Sequence, residues 1–572
     1  MSKVSIQARP LISHPDLFQG VPAFMAKILA ARGLQSAQEL ELKLKYLLAP
    51  SMKGLQQAVT LLDRAIDQGQ QILIIGDYDA DGATSTALMV LVLRQMGANV
   101  NYIVPNRFKY GYGLTPAIVD LAVQRFRPDL LVTVDNGISS HAGVEQAHAY
   151  GIQVIITDHH LTTKAIPDAE AVVNPNQLDC EFPSKALAGV GVAFYVLASL
   201  STYRKSQQKS YATVTTYLDL VALGTYADVA SLDYNNRILV DAGVKRIQQN
   251  LCRPGICALL DIAGRETTQF TAQDLGFLLG PRLNAAGRMD TMDIGIECLL
   301  ADDFHTAYPL AQKLNQLNLE RRQVESQMKQ EALITLDQLQ IDQQQLPAAL
   351  IVFEQHWHQG VIGIVAGRLK EQFYRPAIVF APDEDGLHLK GSARSIEGIH
   401  IRDAIEQIAE RYPDMIRYFG GHAAAAGLTI KKDQFEAFKN VFQQLIQTYP
   451  ADVFNPILFT DGELPSDAFQ LATVDLIQQF GPWGQHFPCP VFHGVFNVLD
   501  MKWLKDQHLK LKLALANGQV IDAIAFNAIE EYPLNTAINT VYLVYELEKN
   551  VFKGQASIQL KIQHLNLLNR PH

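Results

Sequence analysis

Cysteine is scarce in this chain: five in 572 residues, Cys180, Cys252, Cys257, Cys298 and Cys489, with no CxxC pair among them. That excludes a disulfide framework and a zinc knuckle and leaves buried thiols as the reading. No apolar run approaches the roughly 18 residues that a bilayer-crossing helix needs. Residues 1–20 also lack the basic start and apolar core of a leader, so a cytoplasmic protein that touches no membrane is expected. Net positive charge is missing as well, since 48 Lys and Arg stand against 58 Asp and Glu for a net charge of −10. Nonspecific nucleic-acid binding is driven by basic surface, so a polyanionic partner would need local basic patches here. Internal repeats and low-complexity tracts are absent. What remains is a long chain, 48% hydrophobic, whose length suggests roughly three or four domains at about 150 residues each.

Three apolar runs in the first third each stop in acidic or histidine residues. They read Ile72-Leu73-Ile74-Ile75-Gly76-Asp77-Tyr78-Asp79-Ala80-Asp81-Gly82, Leu130-Leu131-Val132-Thr133-Val134-Asp135-Asn136-Gly137 and Val154-Ile155-Ile156-Thr157-Asp158-His159-His160. Short β-branched-rich runs separated by helix-length stretches suit buried parallel strands joined by crossover helices. Ligands of such sheets sit beyond the carboxyl ends of the strands, so five carboxylates and two imidazoles would converge in one crevice. Carboxylates packed that closely repel one another and lose hydration, a penalty that a divalent cation removes.

Asp77, Asp79 and Asp81 imitate the start of an EF-hand loop, but the twelfth position, which must be a bidentate Glu, is Leu88. A strand-to-helix turn fits better: alternate residues of an extended segment point the same way, and Asp81 can also cap a helix beginning near Ala83. Asp135, at a strand end, can bridge two metals, the arrangement that stabilises attacking and leaving oxygens in phosphoryl displacement. Neighbouring side chains in a loop point apart, so His159 is expected to bind metal and His160 to face the scissile phosphate. Arg107, Lys109, Arg282 and Arg288, beside glycines or prolines, supply local basic patches, with Arg394 in an apparent Gly-Ser-Ala-Arg-Ser turn (391–395). Tyr110 and Tyr112 suit core packing as well as base stacking.

Residues 1–50 carry no legible chemistry, and an α/β pattern occupies 51–300, within which 219–228 reads as a helix leading to Asp228. A long amphipathic connector helix is expected within 301–347, a second α/β unit over 348–453 and a small β-barrel over 454–572.

The ensemble resembles the DHH phosphoesterase superfamily, and from about residue 50 onward its bacterial single-strand-specific DNA exonucleases. The resemblance rests on Asp-Tyr-Asp-Ala-Asp-Gly-Ala-Thr-Ser (77–85), Val-Pro-Asn-Arg-Phe-Lys-Tyr-Gly-Tyr-Gly-Leu (104–114), Val-Asp-Asn-Gly (134–137) and Asp-His-His (158–160). It extends through Ala-Leu-Ala-Gly-Val-Gly-Val-Ala-Phe (186–194), Gly-Pro-Arg-Leu-Asn-Ala-Ala-Gly-Arg-Met (280–289) and Gly-Gly-His (420–422). It implies a parallel-sheet DHH domain, a connector helix, a DHH-associated domain and a C-terminal OB-fold barrel. It further implies two Mn²⁺ or Mg²⁺ ions held by Asp77, Asp79, Asp81, Asp135, His159 and Asp228. The mostly carboxylate set suits hard cations, and the imidazole tilts it toward Mn²⁺. Ser392 and Arg394 would hold a 5′ phosphate, with Asn284, Gly420, Gly421 and His422 near the substrate. Trp503, Lys502, Lys505, Lys510, Lys512 and Lys553 would grip the strand on the barrel, where an alternating lysine strand is also what a solvated face looks like.

The implied activity is 5′-to-3′ exonucleolysis of single-stranded DNA by a two-metal mechanism in repair and recombination. A single-stranded DNA-binding protein and a helicase would be its partners. Two alternatives stand beside it: an enzyme of short oligonucleotides or cyclic dinucleotides, and a noncatalytic replication scaffold. The connector and barrel weigh against the first, the intact ligand set against the second, and a polyphosphatase is a remote third.

Overall fold

The computed structural model describes residues 4–105, 113–161, 165–338, 346–383, 385–505, 507–530, 539–552 and 554–568. Two compact units emerge: one is built mainly from 316–458, the other from 8–287, 291–315 and 459–572.

In the larger unit, strands β1 (Gln71–Ile75), β2 (Asn99–Ile103), β3 (Leu130–Val134), β4 (Gln153–Thr157) and β5 (Ala171–Val173) form one sheet in the order β2-β1-β3-β4-β5. Every neighbouring pair is parallel. Such strands must be apolar on both faces, and β3 is buried along its whole length. One face packs Leu73, Ile75, Leu131 and Ile156 against Ile118, Val119, Val144 and Ala147 of the crossover helices Pro116–Phe126 and His141–Ala149. The crossover from β1 to β2 is the helix Ala80–Gln95, buried almost all round against the helices Gly189–Ser206 and Leu218–Ala227. The order of strand addition reverses at β1, with β2 on one side and β3 on the other, so the loops after β1 and β3 diverge and leave a crevice at their carboxyl ends.

The other unit holds a mixed sheet of β6 (Leu350–Phe353), β7 (Ala377–Pro382), β8 (His388–Arg394), β9 (Ile416–Gly421) and β10 (Ala425–Lys431), ordered β9-β10-β8-β7-β6. Side-chain alternation divides its core in two. Ile351, Ile378, Phe380 and Leu389 face the helices Ile401–Arg411 and Phe435–Ile446, while Leu350, Val352, Ala377 and Val379 face Ile362–Phe373 and Met328 of the long helix Phe304–Gln338. That helix lies within the 301–347 range expected for the connector, with Pro309 inside it.

Segment 391–395 corrects the sequence reading: it is not a turn, because residues up to Arg394 belong to β8. Gly391 marks a close approach instead, since a Cβ there would lie 2.5 Å from the Phe380 ring. Gly420 and Gly421 do border a turn: Gly421, at φ 147°, closes a tight hairpin in which His422 N donates to Ala425 O (2.8 Å).

A closed barrel of β11 (Phe492–Leu504), β12 (His508–Ala514), β13 (Val520–Ala525), β14 (Thr540–Phe552) and β15 (Gln555–Leu567) completes the larger unit, in the order β11-β12-β13-β15-β14. Leu509, Leu511 and Leu513 fill its interior, and the intervening Lys510 and Lys512 face out. No helix among the described residues is long and apolar enough to cross a membrane.

Candidate metal centre

The crevice beyond β1 and β3 is furnished from four chain segments. After β1, the turn runs through buried Asp77 into the helix Ala80–Gln95, whose N-cap is Asp79: its Oδ1 accepts from Asp81 N (2.9 Å) and Gly82 N (3.0 Å). The helix therefore starts at Ala80, not near Ala83, and Asp79 rather than Asp81 caps it. Asp81 instead receives the amino end of another helix, with Gly189 N on Oδ2 (2.6 Å) and Val190 N on Oδ1 (2.9 Å). Those orphan amides and the helix dipole favour the ionised carboxylate and fix its orientation.

Asp135 follows β3 at once and adopts φ 62°, a left-handed conformation uncommon for a residue with a side chain. Thr157 O holds its N–H (3.0 Å), and the next residue, Asn136, ties Ile75 O (3.1 Å) to Val134 O (2.9 Å), locking the ends of β1 and β3 together. Gly189 lets the second helix come this close, for a Cβ there would stand 2.6 Å from Asp135 Cβ.

Past β4, Asp158 is buried and turned away from the cluster. Its Oδ1 accepts from His159 N (2.7 Å) and His160 N (3.1 Å) and meets His160 Nδ1 at 2.7 Å, while Oδ2 accepts from Ile138 N (2.9 Å). Asn174 and Asn176 donate to the carbonyls of His160 (3.0 Å) and His159 (2.6 Å), fixing both backbones. Asp228 arrives as the C-cap of Leu218–Ala227.

These segments converge. Ligand atoms of Asp77, Asp79 and Asp135 lie within 4.8 Å of one another, as do those of Asp81, His159 and Asp228, and those of Asp135, His159 and His160. The Leu187 backbone engages the His159 ring, and Nε2 is left buried without a hydrogen bond among the described residues. It stands 3.1 Å from Asp135 Oδ1, 3.8 Å from Asp228 Oδ2 and 3.9 Å from Asp81 Oδ2. A neutral imidazole lone pair facing three carboxylate oxygens is repulsive until a cation lies between them, so this donor set fits a divalent metal.

The electrostatics agree. Burial, and then Asp79, push Asp81 up to about 7; burial, and then Asp81, push Asp135 and Asp228 well above the carboxylate range. Burial lowers His159 to about 4. Burial also opposes charge on His160, but the Asp158 hydrogen bond and the facing carboxylates prevail and raise it to about 9.

The remaining predicted residues are placed less uniformly. Asn284 Oδ1 accepts from Ala80 N (2.8 Å), so Asn284 secures the acidic turn itself. Arg282 reaches Leu278 O (2.7 Å) and Asn315 Oδ1 (3.0 Å), and Arg288 reaches Gly360 O (3.2 Å). In the other unit, Ser392 and Arg394 project from the same side of β8, and Arg394 Nη1 donates to Ser392 Oγ (3.1 Å) and Ala393 O (2.9 Å). Burial lowers the Arg394 pKa, and it makes no ion pair among the described residues, an arrangement suited to an anionic ligand. Ser392 lies opposite Gly427, which pairs in turn with Gly420, so Gly420 and Gly421 share this sheet.

On the barrel, Trp503 lies opposite core-facing Leu509, away from the face where Lys502 opposes Lys510, so it does not join the lysine stripe. Lys510 pairs with Asp522 (2.7 Å), as a solvated barrel face does. Arg107, Lys109, Tyr110, Tyr112 and Lys553 lie outside the described residues.

Residues 71–225 match the DHH family N-terminal domain, 346–448 the DHHA1 domain and 460–564 the RecJ OB domain. The RecJ single-stranded-DNA-specific exonuclease of Dickeya dadantii is 46% identical over 99% of this chain and 100% of its own length. That of Escherichia coli is 45% identical over 98% and 99%. The chain belongs to the RecJ family. Thermus thermophilus RecJ, crystallised in complex with Mn²⁺, superposes with a TM-score of 0.83 at 27% identity, covering 99% of this chain and 80% of that one.

Asn136, Asn174 and Asn176 carried no legible signal in the sequence, because they act through backbone contacts that only the folded loops create. Asp158, expected among the converging carboxylates, is instead committed to Ile138 N and His160. The 186–194 motif was visible, but not its use: Leu187 on His159, the Gly189 and Val190 amides on Asp81, and Gly189 as the gap for Asp135.

Proposed function

We propose that this member of the RecJ family is a single-strand-specific DNA exonuclease that hydrolyses phosphodiester bonds from the 5′ end and serves DNA repair and recombination in the cytoplasm. Asp77, Asp79, Asp81, Asp135, His159 and Asp228 would hold two divalent ions, Mn²⁺ or Mg²⁺. The observation that carries this reading is the buried His159 Nε2 facing three carboxylate oxygens. It is supported by the Mn²⁺ and Mg²⁺ complexes of Thermus thermophilus RecJ. When bound, the ions supply electrostatic stabilisation for charge that builds on the phosphoryl oxygens.

The chain's own residues do the rest. Asp158 holds the Nδ1–H of His160 and thereby turns Nε2 toward a substrate phosphate. Ser392 and Arg394 receive the 5′ phosphate, and Arg282, Arg288, Asn284, Gly420, Gly421 and His422 border the strand, with Arg107 assigned there on its motif alone. Outward lysines of the barrel follow the backbone. A single-stranded DNA-binding protein and a helicase would deliver the strand.

The test is incubation of end-labelled single-stranded and duplex DNA with Mn²⁺, Mg²⁺ or chelator. Mononucleotides should leave the 5′ end of the single strand alone, and only with metal. Undiminished cleavage after rigorous metal stripping, or equal attack on duplex, would overturn the reading.

A further inference from the structure

Phe277 is 71% exposed, an unusual place for a large aromatic that burial would otherwise stabilise. It lies in a single π-helical turn, Leu275–Leu279, which interrupts an otherwise α-helical run between Ala272–Asp274 and Gly280–Met289. Such turns cluster at functional sites, because the widened helix re-aims side chains at the cost of poorer backbone bonding.

The turn is held firmly from several sides. Leu275 and Leu279 are fully buried, and Arg282 donates to Leu278 O (2.7 Å) while Asn315 holds its other edge (3.0 Å). Gly276 lies so close to Tyr226 that a Cβ would stand 2.9 Å from the ring, and Gly280 sits likewise over Ala227 (3.1 Å). Asp228 is the next residue of that helix end. Farther along the same run, Asn284 grips Ala80 N (2.8 Å), and Gly287 packs against Tyr78 O. The segment is thus pinned beside Asp228 at its π-helical end, where the Phe277 ring is displayed to solvent, and to the acidic turn at the other.

We propose that Phe277 is a base-stacking platform that receives a nucleobase of the single strand next to the metal centre. The inference rests on the proposed exonuclease reading. Every base offers a π face, so a rigid exposed ring binds a strand without sequence preference, and a duplex, whose bases are already stacked, cannot use it. Arg282 is then a positioning residue that holds the turn.

The test compares wild type with Phe277→Ala, Phe277→Leu and Phe277→Tyr in Mn²⁺, on a normal single strand and on one made abasic over its 5′-terminal nucleotides. On the normal strand KM should rise roughly tenfold or more for Ala and Leu, kcat should change less, and Tyr should stay near wild type. On the abasic strand all four proteins should become alike, and thermal melting should be the same for wild type and Leu. A KM within about twofold of wild type for Ala and Leu, or an equal penalty on the abasic strand, would overturn the proposal. Failure of wild type to cleave any single strand would instead sink the exonuclease reading beneath it.

Discussion

Asp135 must satisfy two demands at once, a carboxylate at the centre of the cluster and a left-handed backbone at φ 62°. Asparagine meets the second without the first, because its short amide tolerates that region, whereas alanine meets neither. Asp135→Asn should therefore melt close to wild type while hydrolysis of single-stranded DNA falls by at least about 100-fold, and Asp135→Ala should lose activity and about 1 kcal/mol of stability besides. Steady-state hydrolysis beside thermal melts checks both; an active Asp135→Asn would remove this residue from the metal site. Asp77, Asp79, Asp81, Asp135 and His159 were legible as candidates because they follow the apolar runs of β1, β3 and β4, where parallel-sheet geometry dictates convergence, whereas Asp228 ends a helix. Asp158 belongs to the same triplet as the two histidines, but its backward turn onto His160 Nδ1 depends on a loop conformation that spacing does not encode.

At the scale of the element, the helix Ala80–Gln95 shows why a ligand and a cap cannot be told apart by mutation to alanine. Asp79 Oδ1 serves Asp81 N and Gly82 N, so Asp79→Ala deletes a cap worth about 1 kcal/mol along with any metal contact. Serine caps nearly as well and offers no carboxylate. Asp79→Ser should hold stability to within about 0.5 kcal/mol of wild type in denaturant titrations yet lose hydrolysis as fully as Asp79→Ala. Activity retained by the serine variant would reduce Asp79 to a structural role. The same region marks what patterns conceal: the strand-to-helix turn located the helix but not its first residue, since the cap is resolved only by which carboxylate faces which amide. Glycine misled for a related reason at 391, where the missing Cβ makes room for the Phe380 ring and the chain does not turn. In sequence, a glycine that permits approach and a glycine that bends the backbone look alike.

For the whole molecule, the order of units was legible because changes of hydrophobic period mark changes of architecture, from buried parallel strands to a long amphipathic helix to alternating barrel strands. The net charge of −10 was the more ambiguous signal, as part of it is concentrated in the cluster. That concentration has a thermodynamic consequence. In metal-free protein Asp81 titrates at about 7, with Asp135 and Asp228 also raised, whereas unfolded carboxylates titrate near 4. Between those values the folded chain binds more protons than the unfolded one, so stability falls as pH rises through this window. His160 acts in the same direction: raised to about 9, its contribution is complete below the unfolded value near 6.5 and is lost as pH climbs through 9, while His159, lowered to about 4, opposes the trend only below about 6.5. Metal ions compete with the protons on the carboxylates and bind the folded state selectively. Adding Mn²⁺ should therefore raise the melting temperature, and the rise should be larger at pH 8 than at pH 6, while chelated protein melts lower at pH 8 than at pH 6. Differential scanning calorimetry at both pH values, with Mn²⁺ or chelator, measures all four arms. A Mn²⁺ shift that is absent, or larger at pH 6, would mean that these carboxylates do not share the ions.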